Sequence, residues 1–256
     1  MIPLPNKQVA ASGETGYQAR FATTADEMAS AQRLRYEVFN VELGEGLSAS
    51  RDLGCDRDAF DPFYDHLVVI DGRCQSVVGT YRMQTGTMAA RHLGYYSAQR
   101  FSFAPFEPVR SELMEVGRAC VHRQHRSVVV VGLLWREIGR YARRHGIRYL
   151  IGCSSVMTKD PMVAAGIFRW LEEKKHLAPE VFRTQPEADY LCPRVEGKFE
   201  PIKPPRLMRA YLALGASVCG PAAWDREFGT IVFLTILDLQ SLNPAAAAHF
   251  IDRGLP

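Results

Sequence analysis

The 256-residue chain lacks most of the features that assign a protein at sight. Its six cysteines, Cys55, Cys74, Cys120, Cys153, Cys192 and Cys219, include no C-x-x-C pair, so metal-ligand spacing is absent and no metal is expected. Scattered thiols of this kind read as reduced cysteines in a cytoplasmic protein. No apolar run is long enough to cross a bilayer, and the opening MIPLPNKQVAASGETG has no apolar signal-peptide core. A soluble protein is expected, touching a membrane surface at most. The net charge of +3 is too small to suggest nucleic acid. Internal repeats and low-complexity linkers are also missing. What is there is ordinary globular composition, 47% hydrophobic and 23% charged, on a chain long enough to bury a large core. Residues 1–17 are expected to be a loose arm and 18–256 a single domain.

Thr24 and Glu27 have capping-box spacing and predict a helix running to about Val41. His66–Ile70 and Ser76–Met83 flank the turn Asp71-Gly72-Arg73 as a β-hairpin. A short helix is expected over Thr87–Leu93. Val130–His145 predicts a helix closed by Gly146, although Val128–Val131 favours strand and blurs its start. Arg148–Cys153 reads as a buried strand, Pro161–Lys174 and Leu207–Leu214 as helices, Pro193–Pro205 as extended chain, and Thr230–Leu239 as a last apolar strand. Strands first, then alternation with helices, argues an α/β or α+β domain around a mixed sheet.

The most informative stretch is Ser111–Arg126, SELMEVGRACVHRQHR. It reads as a strand carrying an acid and a base that runs into a basic turn. Alternation puts Glu115, Gly117, Ala119 and Val121 on one face, with Arg118 and Cys120 on the other. Two charges in a short apolar strand cost desolvation energy unless they are paired or open to a cleft. Two readings stand side by side: Glu115 as a general base, or a structural ion pair.

The order helix, hairpin, long strand, helix, strand, helix resembles the GNAT acyltransferase superfamily. Arg35-Tyr36-Glu37-Val38-Phe39, Asp58-Ala59-Phe60-Asp61, Gly79-Thr80-Tyr81-Arg82 and Glu115–Arg118 resemble, in order, the R-x-x-V-F, D-x-F/Y-D, G-x-x-R and E-x-x-R motifs of acyl-homoserine-lactone synthases. Pro205–Leu237, PRLMRAYLALGASVCGPAAWDREFGTIVFLTIL, is similar to L-ornithine N-α-acyltransferases, with Arg209 where their pattern has lysine and Pro221 early. The resemblance spans about Arg33–Asp238. It implies a GNAT fold, with a mixed, mostly antiparallel central sheet flanked by helices. It also implies transfer of a 3-hydroxy fatty acyl group from acyl carrier protein to the α-amine of ornithine. Coenzyme A-using relatives carry a glycine loop after the central strand that cradles pyrophosphate. Gln124–Val131 has no glycine before Gly132, which fits phosphopantetheine on a carrier protein as co-substrate, with no cofactor bound.

The resemblance implies these roles. Glu115 removes the amine proton, directly or through water, and Arg118 orients the network by pairing with Asp58 or Asp61. Backbone N–H groups around Val121 and His122, at an expected bulge, meet the oxyanion. Arg35 and Phe39 close over the acyl-pantetheine, and Arg82 binds the acceptor carboxylate. The ornithine side-chain amine needs an acid, with Asp58, Asp61, Glu112 and Asp225 all available. Arg123, His125, Arg126, Arg136 and Arg140 offer a basic face to the acidic carrier protein, with a solvated helix face as the alternative for the distal arginines. Trp135, Phe103, Phe106, Ile167, Phe168, Trp170 and Leu171 are expected to supply an acyl slot, and Met208–Leu214 with Arg206 and Arg209 a membrane contact. Alternatives are another acceptor such as glycine, lactone synthesis, and a non-catalytic carrier- or lipid-binding protein on the same fold.

Overall fold

A computed structural model describes residues 16–193, 195 and 200–242; the predicted arm, apart from its last two residues, and some of the Pro193–Pro205 segment lie outside them. The described chain has as its first element β1 (Tyr17–Phe21), a strand with no strong sequence signal. Helix α1 (Ala25–Tyr36) starts as its capping box predicts, with Thr24 accepting from the Glu27 N–H and the Glu27 carboxylate reaching back. It then widens into a π-helical turn, Glu37–Glu42, within the span predicted as one helix. A single-turn helix α2 (Ser50–Leu53) precedes the hairpin β2 (Asp65–Asp71) and β3 (Ser76–Thr85).

After α3 (Gly86–Arg91) and a 3-10 segment, Ala104–Glu112, comes the long strand β4 (Leu113–Val121). Helix α4 (Val128–Arg144) begins two residues earlier than expected. The Ser127 hydroxyl accepts from the Val130 N–H, and burial of Val130, Leu133 and Leu134 outweighs the strand preference of the valines. Strand β5 (Tyr149–Val156), α5 (Pro161–Glu173) and α6 (Arg206–Leu214) follow, then β6 (Ser217–Val218), β7 (Ala223–Asp225) and β8 (Thr230–Asp238). The two short strands β6 and β7 had no run long enough to be read from sequence.

The sheet order is β1-β2-β3-β4-β5-β8-β6, with β7 also on β8. Of its pairings only β4–β5 is parallel, so the sheet is mixed and mostly antiparallel, as expected. The apolar stripe of α4 (Val130, Leu134, Ile138) packs on Met83, Met114 and Leu150. Phe101, Phe103 and Phe106 pack with Ile151 and Leu234, and α5 and α6 close over Phe233.

These clusters correct two expectations. Trp135 belongs to the α4 cluster, Phe103 and Phe106 to the second, and Ile167, Phe168, Trp170 and Leu171 to the third, so they line no single slot. On α6, Met208, Leu212 and Leu214 are buried as core, which leaves Leu207 as the exposed large apolar side chain of the predicted membrane contact.

Candidate active site

β4 and β5 pair only over Leu113–Tyr149, Met114–Leu150 and Glu115–Ile151. Beyond that point β4 continues on β3 to Val121, while β5 from Gly152 onward is paired on β8 alone. The two strands therefore diverge just past Glu115. Gly152 sits where they last touch: a Cβ there would lie 2.2 Å from the Val116 carbonyl oxygen.

A β-bulge lies beside the opening. Thr80 faces Cys120 and Arg82 faces Gly117, so Arg118 and Ala119 together oppose Tyr81. Arg118 takes a positive φ of 50°, a left-handed conformation rare outside glycine. The extra residue overturns the face assignment from simple alternation. Val116, Ala119 and Val121 pack toward α4, whereas Glu115 and Arg118 both reach Tyr96 on the other side. The bulge was expected at Val121 and His122. The His122 N–H is instead engaged by the Val78 carbonyl at 2.8 Å, which removes it as an oxyanion donor. Antiparallel alternation then turns the Val121 N–H toward the side that β5 has left.

Glu115 is 2% exposed and holds four donors. These are the Ser97 N–H (2.7 Å), the Tyr96 N–H (2.8 Å), the Ser97 hydroxyl and the Tyr64 hydroxyl. Burial and the facing carboxylate raise the Tyr64 phenol well above its usual range, so it stays a donor. A carboxylate with this many donors has no lone pair left over for direct attack on a substrate proton. Any proton reaching it comes through one of the two hydroxyls, which corrects the direct form of the general-base expectation.

Arg118 takes one of the two partners expected for it, and adds another. Its Nε meets Asp56 at 3.0 Å and its Nη2 meets Asp58 at 3.0 Å, whereas Asp61 pairs with other arginines. Asp56, which stands at no motif position in the sequence, closes a ring of alternating charges. Arg35 pairs with Asp56 (2.9 Å) and Asp61 (2.7 Å), and Arg82 with Asp61 and Asp58 (2.7 Å each). Three cations and three anions thus neutralise one another in a largely dry interior. Burial raises the carboxyls of Asp58 and Asp61, yet the arginines outweigh it and hold both below the usual range.

Two further roles need correcting. Arg35 is fully buried and shut inside the ring, away from any acyl-pantetheine. Arg82, 1% exposed, is committed to two aspartates and lies between the Tyr64 and Tyr96 rings, so it is not open to an acceptor carboxylate. Nor is any of the four acids open to the acceptor amine. Asp58 and Asp61 sit in the ring, Asp225 is buried on Arg100, and Glu112 lies at the opposite end of β4, where its carbonyl takes the Arg148 N–H.

Tyr96, which no sequence signal singled out, is the hub. The guanidinium carbons of Arg82, Arg100 and Arg118 lie 5.0, 4.2 and 4.6 Å from its ring centroid. Its hydroxyl accepts from Arg100 (2.8 Å) and Arg118 (3.3 Å). Burial raises its pKa against the pull of both arginines, so it is a phenol with a proton to give. Phe228 covers Arg118 from the β7–β8 turn, its centroid 4.6 Å from the guanidinium, and meets Phe39 edge-on at 6.0 Å. Phe39 thus adjoins Arg118 through Phe228.

The basic turn follows at the open end of β4. Arg123 is exposed and makes no ion pair among the described residues. His122 faces Glu37 (3.2 Å), His125 takes the Tyr17 hydroxyl (2.9 Å), and Arg126 pairs with Glu42 (2.6 Å). Arg136 and Arg140 share Glu137 further along α4. Among the described residues no cluster could hold a metal ion, and no helix is long and apolar enough to cross a membrane.

Three comparisons bear on this arrangement. The fold matches the AHL synthase LasI (TM-score 0.54, 12% identity, 94% of this chain and 97% of that one). It also matches FeeM, an N-acyl amino acid synthase from uncultured soil microbes (TM-score 0.54, 13% identity, 88% and 92%). An L-ornithine N(alpha)-acyltransferase of Rhodobacter capsulatus is 32% identical over 95% of this chain and 98% of its own length. The family model of the acetyltransferase (GNAT) domain matches residues 34–136, from α1 to the middle of α4. With that family signature around the bulged strand and full-length similarity beyond it, the chain belongs to the L-ornithine N(alpha)-acyltransferase family of GNAT-fold enzymes.

Proposed function

We propose that the chain transfers a 3-hydroxy fatty acyl group from the phosphopantetheine of acyl carrier protein to the α-amine of ornithine, giving lyso-ornithine lipid. One observation carries the reading: β4 and β5 diverge directly beside the Glu115 clasp and the bulged Arg118. An extended pantetheine arm laid in that gap runs along the free edge of β4 as a strand would. The thioester carbonyl then comes level with the stretch of β4 just past the bulge, where the Val121 N–H is turned to meet its oxygen.

The amine nitrogen attacks the thioester carbon once its ammonium has lost a proton. That proton passes to the Ser97 hydroxyl as Ser97 hands its own to Glu115. The C–N bond forms, the oxyanion collapses, and the C–S bond breaks. The Tyr96 phenol supplies the proton taken by the departing thiolate, and the second amine proton returns it. Arg118 and Arg100 hold that phenol in place.

Arg123, His125 and Arg126 at the open end receive the acidic carrier protein. Arg136 and Arg140, about 15 Å further along the helix, are partly neutralised by Glu137 and contribute less. The single-chain product is an amphiphile, and exposed Leu207 beside Arg206 is what α6 offers to a membrane surface.

Incubating the purified chain with 3-hydroxyacyl carrier protein and ornithine, followed by mass spectrometry, tests the proposal. Mono-acylated ornithine is expected. Acylglycine formed preferentially from mixed amino acids would replace the acceptor, and no acylation at all would leave only a carrier- or lipid-binding protein.

A further inference from the structure

The π-helical turn after α1 leads into a loop that holds two buried acceptors with no donor. The Asn40 side chain donates its N–H to the Leu47 carbonyl at 3.1 Å, which fixes its amide, and leaves its Oδ1 without a partner. That amide lies flat against Gly46, where a Cβ would sit 2.6 Å from Oδ1; Gly46 has a φ of 96°. Glu45, the neighbour of Gly46, has a buried Oε1 that is likewise unpartnered. Its backbone N–H is tied to the Phe39 carbonyl at 2.8 Å. Phe39 meets Phe228, and Phe228 covers Arg118, so the loop adjoins the reacting end of the site.

Buried acceptors in folded proteins almost always find donors, and an unpaired carboxylate is the most expensive kind to leave bare. Burial without a cation pushes the Glu45 carboxyl up to about 7. The four acids singled out from sequence are either locked to arginines or at the far end of β4. Two unpartnered acceptors on one short loop, one of them a carboxyl oxygen, match a group that has three donors and no acceptor: a primary ammonium. We infer that Asn40 and Glu45 form a subsite for the side-chain ammonium of the acceptor amino acid and so favour a diamino acid over its neutral analogue. The inference rests on the acceptor being ornithine. The aliphatic arm then lies along Phe39 and Phe228, with the α-amine toward Ser97.

Binding separates this subsite from the acylation reading. Titration calorimetry of ornithine and of norvaline, which lacks the side-chain amine, is run on the unmodified protein, on Glu45→Gln and on Glu227→Gln. Glu227 is the rival acid, 59% exposed and 3.6 Å from Arg100. Ornithine is expected to bind the unmodified protein about ten- to a hundredfold more tightly than norvaline, the range of a charge-assisted hydrogen bond. Glu45→Gln is expected to erase that preference while norvaline affinity stays put; Glu227→Gln is expected to keep it. Glu45→Gln removes an unpaired acid, so its thermal midpoint at pH 8 should not fall. The subsite is overturned if ornithine preference survives Glu45→Gln, if it vanishes with Glu227→Gln instead, or if the unmodified protein shows none. Acylation measured alongside decides the reaction independently of these outcomes.

Discussion

At the residue scale, the site is a contrast between groups that are saturated and groups that keep a valence free. Glu115 has four donors and Arg82 two carboxylates, whereas the Tyr96 hydroxyl accepts from Arg100 and Arg118 and keeps its proton, and the Ser97 hydroxyl donates to Glu115 while taking the Cys153 thiol at 3.4 Å. This contrast separates two substitutions that a simple general base would not. Ser97→Ala removes a hydroxyl from the proton route and keeps the backbone N–H on Glu115. It is expected to lower kcat by about a hundredfold or more with the melting temperature nearly unchanged. Glu115→Gln turns an amide donor toward N–H groups that need an acceptor. Steady-state kinetics and thermal melting together should show both activity and stability falling, the latter by about 1–3 kcal/mol. Equal kinetics for Ser97→Ala and the parent protein would remove the hydroxyl relay.

At the element scale, the opening depends on two backbone features of neighbouring strands. Gly152 allows the last close approach of β4 and β5, and Arg118 carries the bulge at positive φ. Gly152→Ala forces a methyl group against the Val116 carbonyl, so the pairing of β4 with β5 should end a residue sooner. Turnover is expected to be lost, and amide hydrogen exchange at Met114–Val116 should speed up. Arg118→Gly keeps the bulge conformation but strands Asp56 and Asp58 without one of their cations. Denaturant unfolding should register a loss of about 3–5 kcal/mol, the cost typical of a broken buried pair. Arg118→Lys should rescue only a fraction of this, since one ammonium cannot meet both aspartates at the angle of a guanidinium.

At the scale of the whole molecule, one closed ring of charge lies inside the fold. The ring of Arg35, Asp56, Arg118, Asp58, Arg82 and Asp61 joins α1, the segment between α2 and β2, β3 and β4. Asp58 and Asp61 have depressed folded pKa values against an ordinary 3.8, so the unfolded chain binds their protons first. Their stabilisation is whole above the ordinary carboxylate range and is lost as the pH falls below about 4 toward the folded values. Urea midpoints measured between pH 7 and pH 3 should therefore drop steeply at the acid end. Outside, Arg123 and Arg126 are exposed on the β4–α4 turn, and the proposed docking has them act on encounter. Charge reversal at Arg123 and Arg126 should raise the KM for acyl carrier protein far more than for an acyl-pantetheine mimic, and added salt should do the same.

Elements whose signals are local could be read directly from the chain. The Thr24–Glu27 capping box placed α1, the Asp71-Gly72-Arg73 turn between two strand-forming runs placed the hairpin, and the apolar run of β8 placed the last strand. The motif order and the C-terminal block pointed to the family that full-length similarity bears out. Faces and partners came from long-range packing. One extra residue at Arg118 reversed the alternation of a strand, and pairing across more than fifty residues made Asp56 the partner of Arg118. The same closure turned Arg35 and Arg82 inward, and it took the apolar side chains of α6 from surface to core. The physical reason is common to all of these: caps and periodicity act over one or two turns of chain, whereas a buried charge or an apolar face takes its role from whatever distant segment covers it.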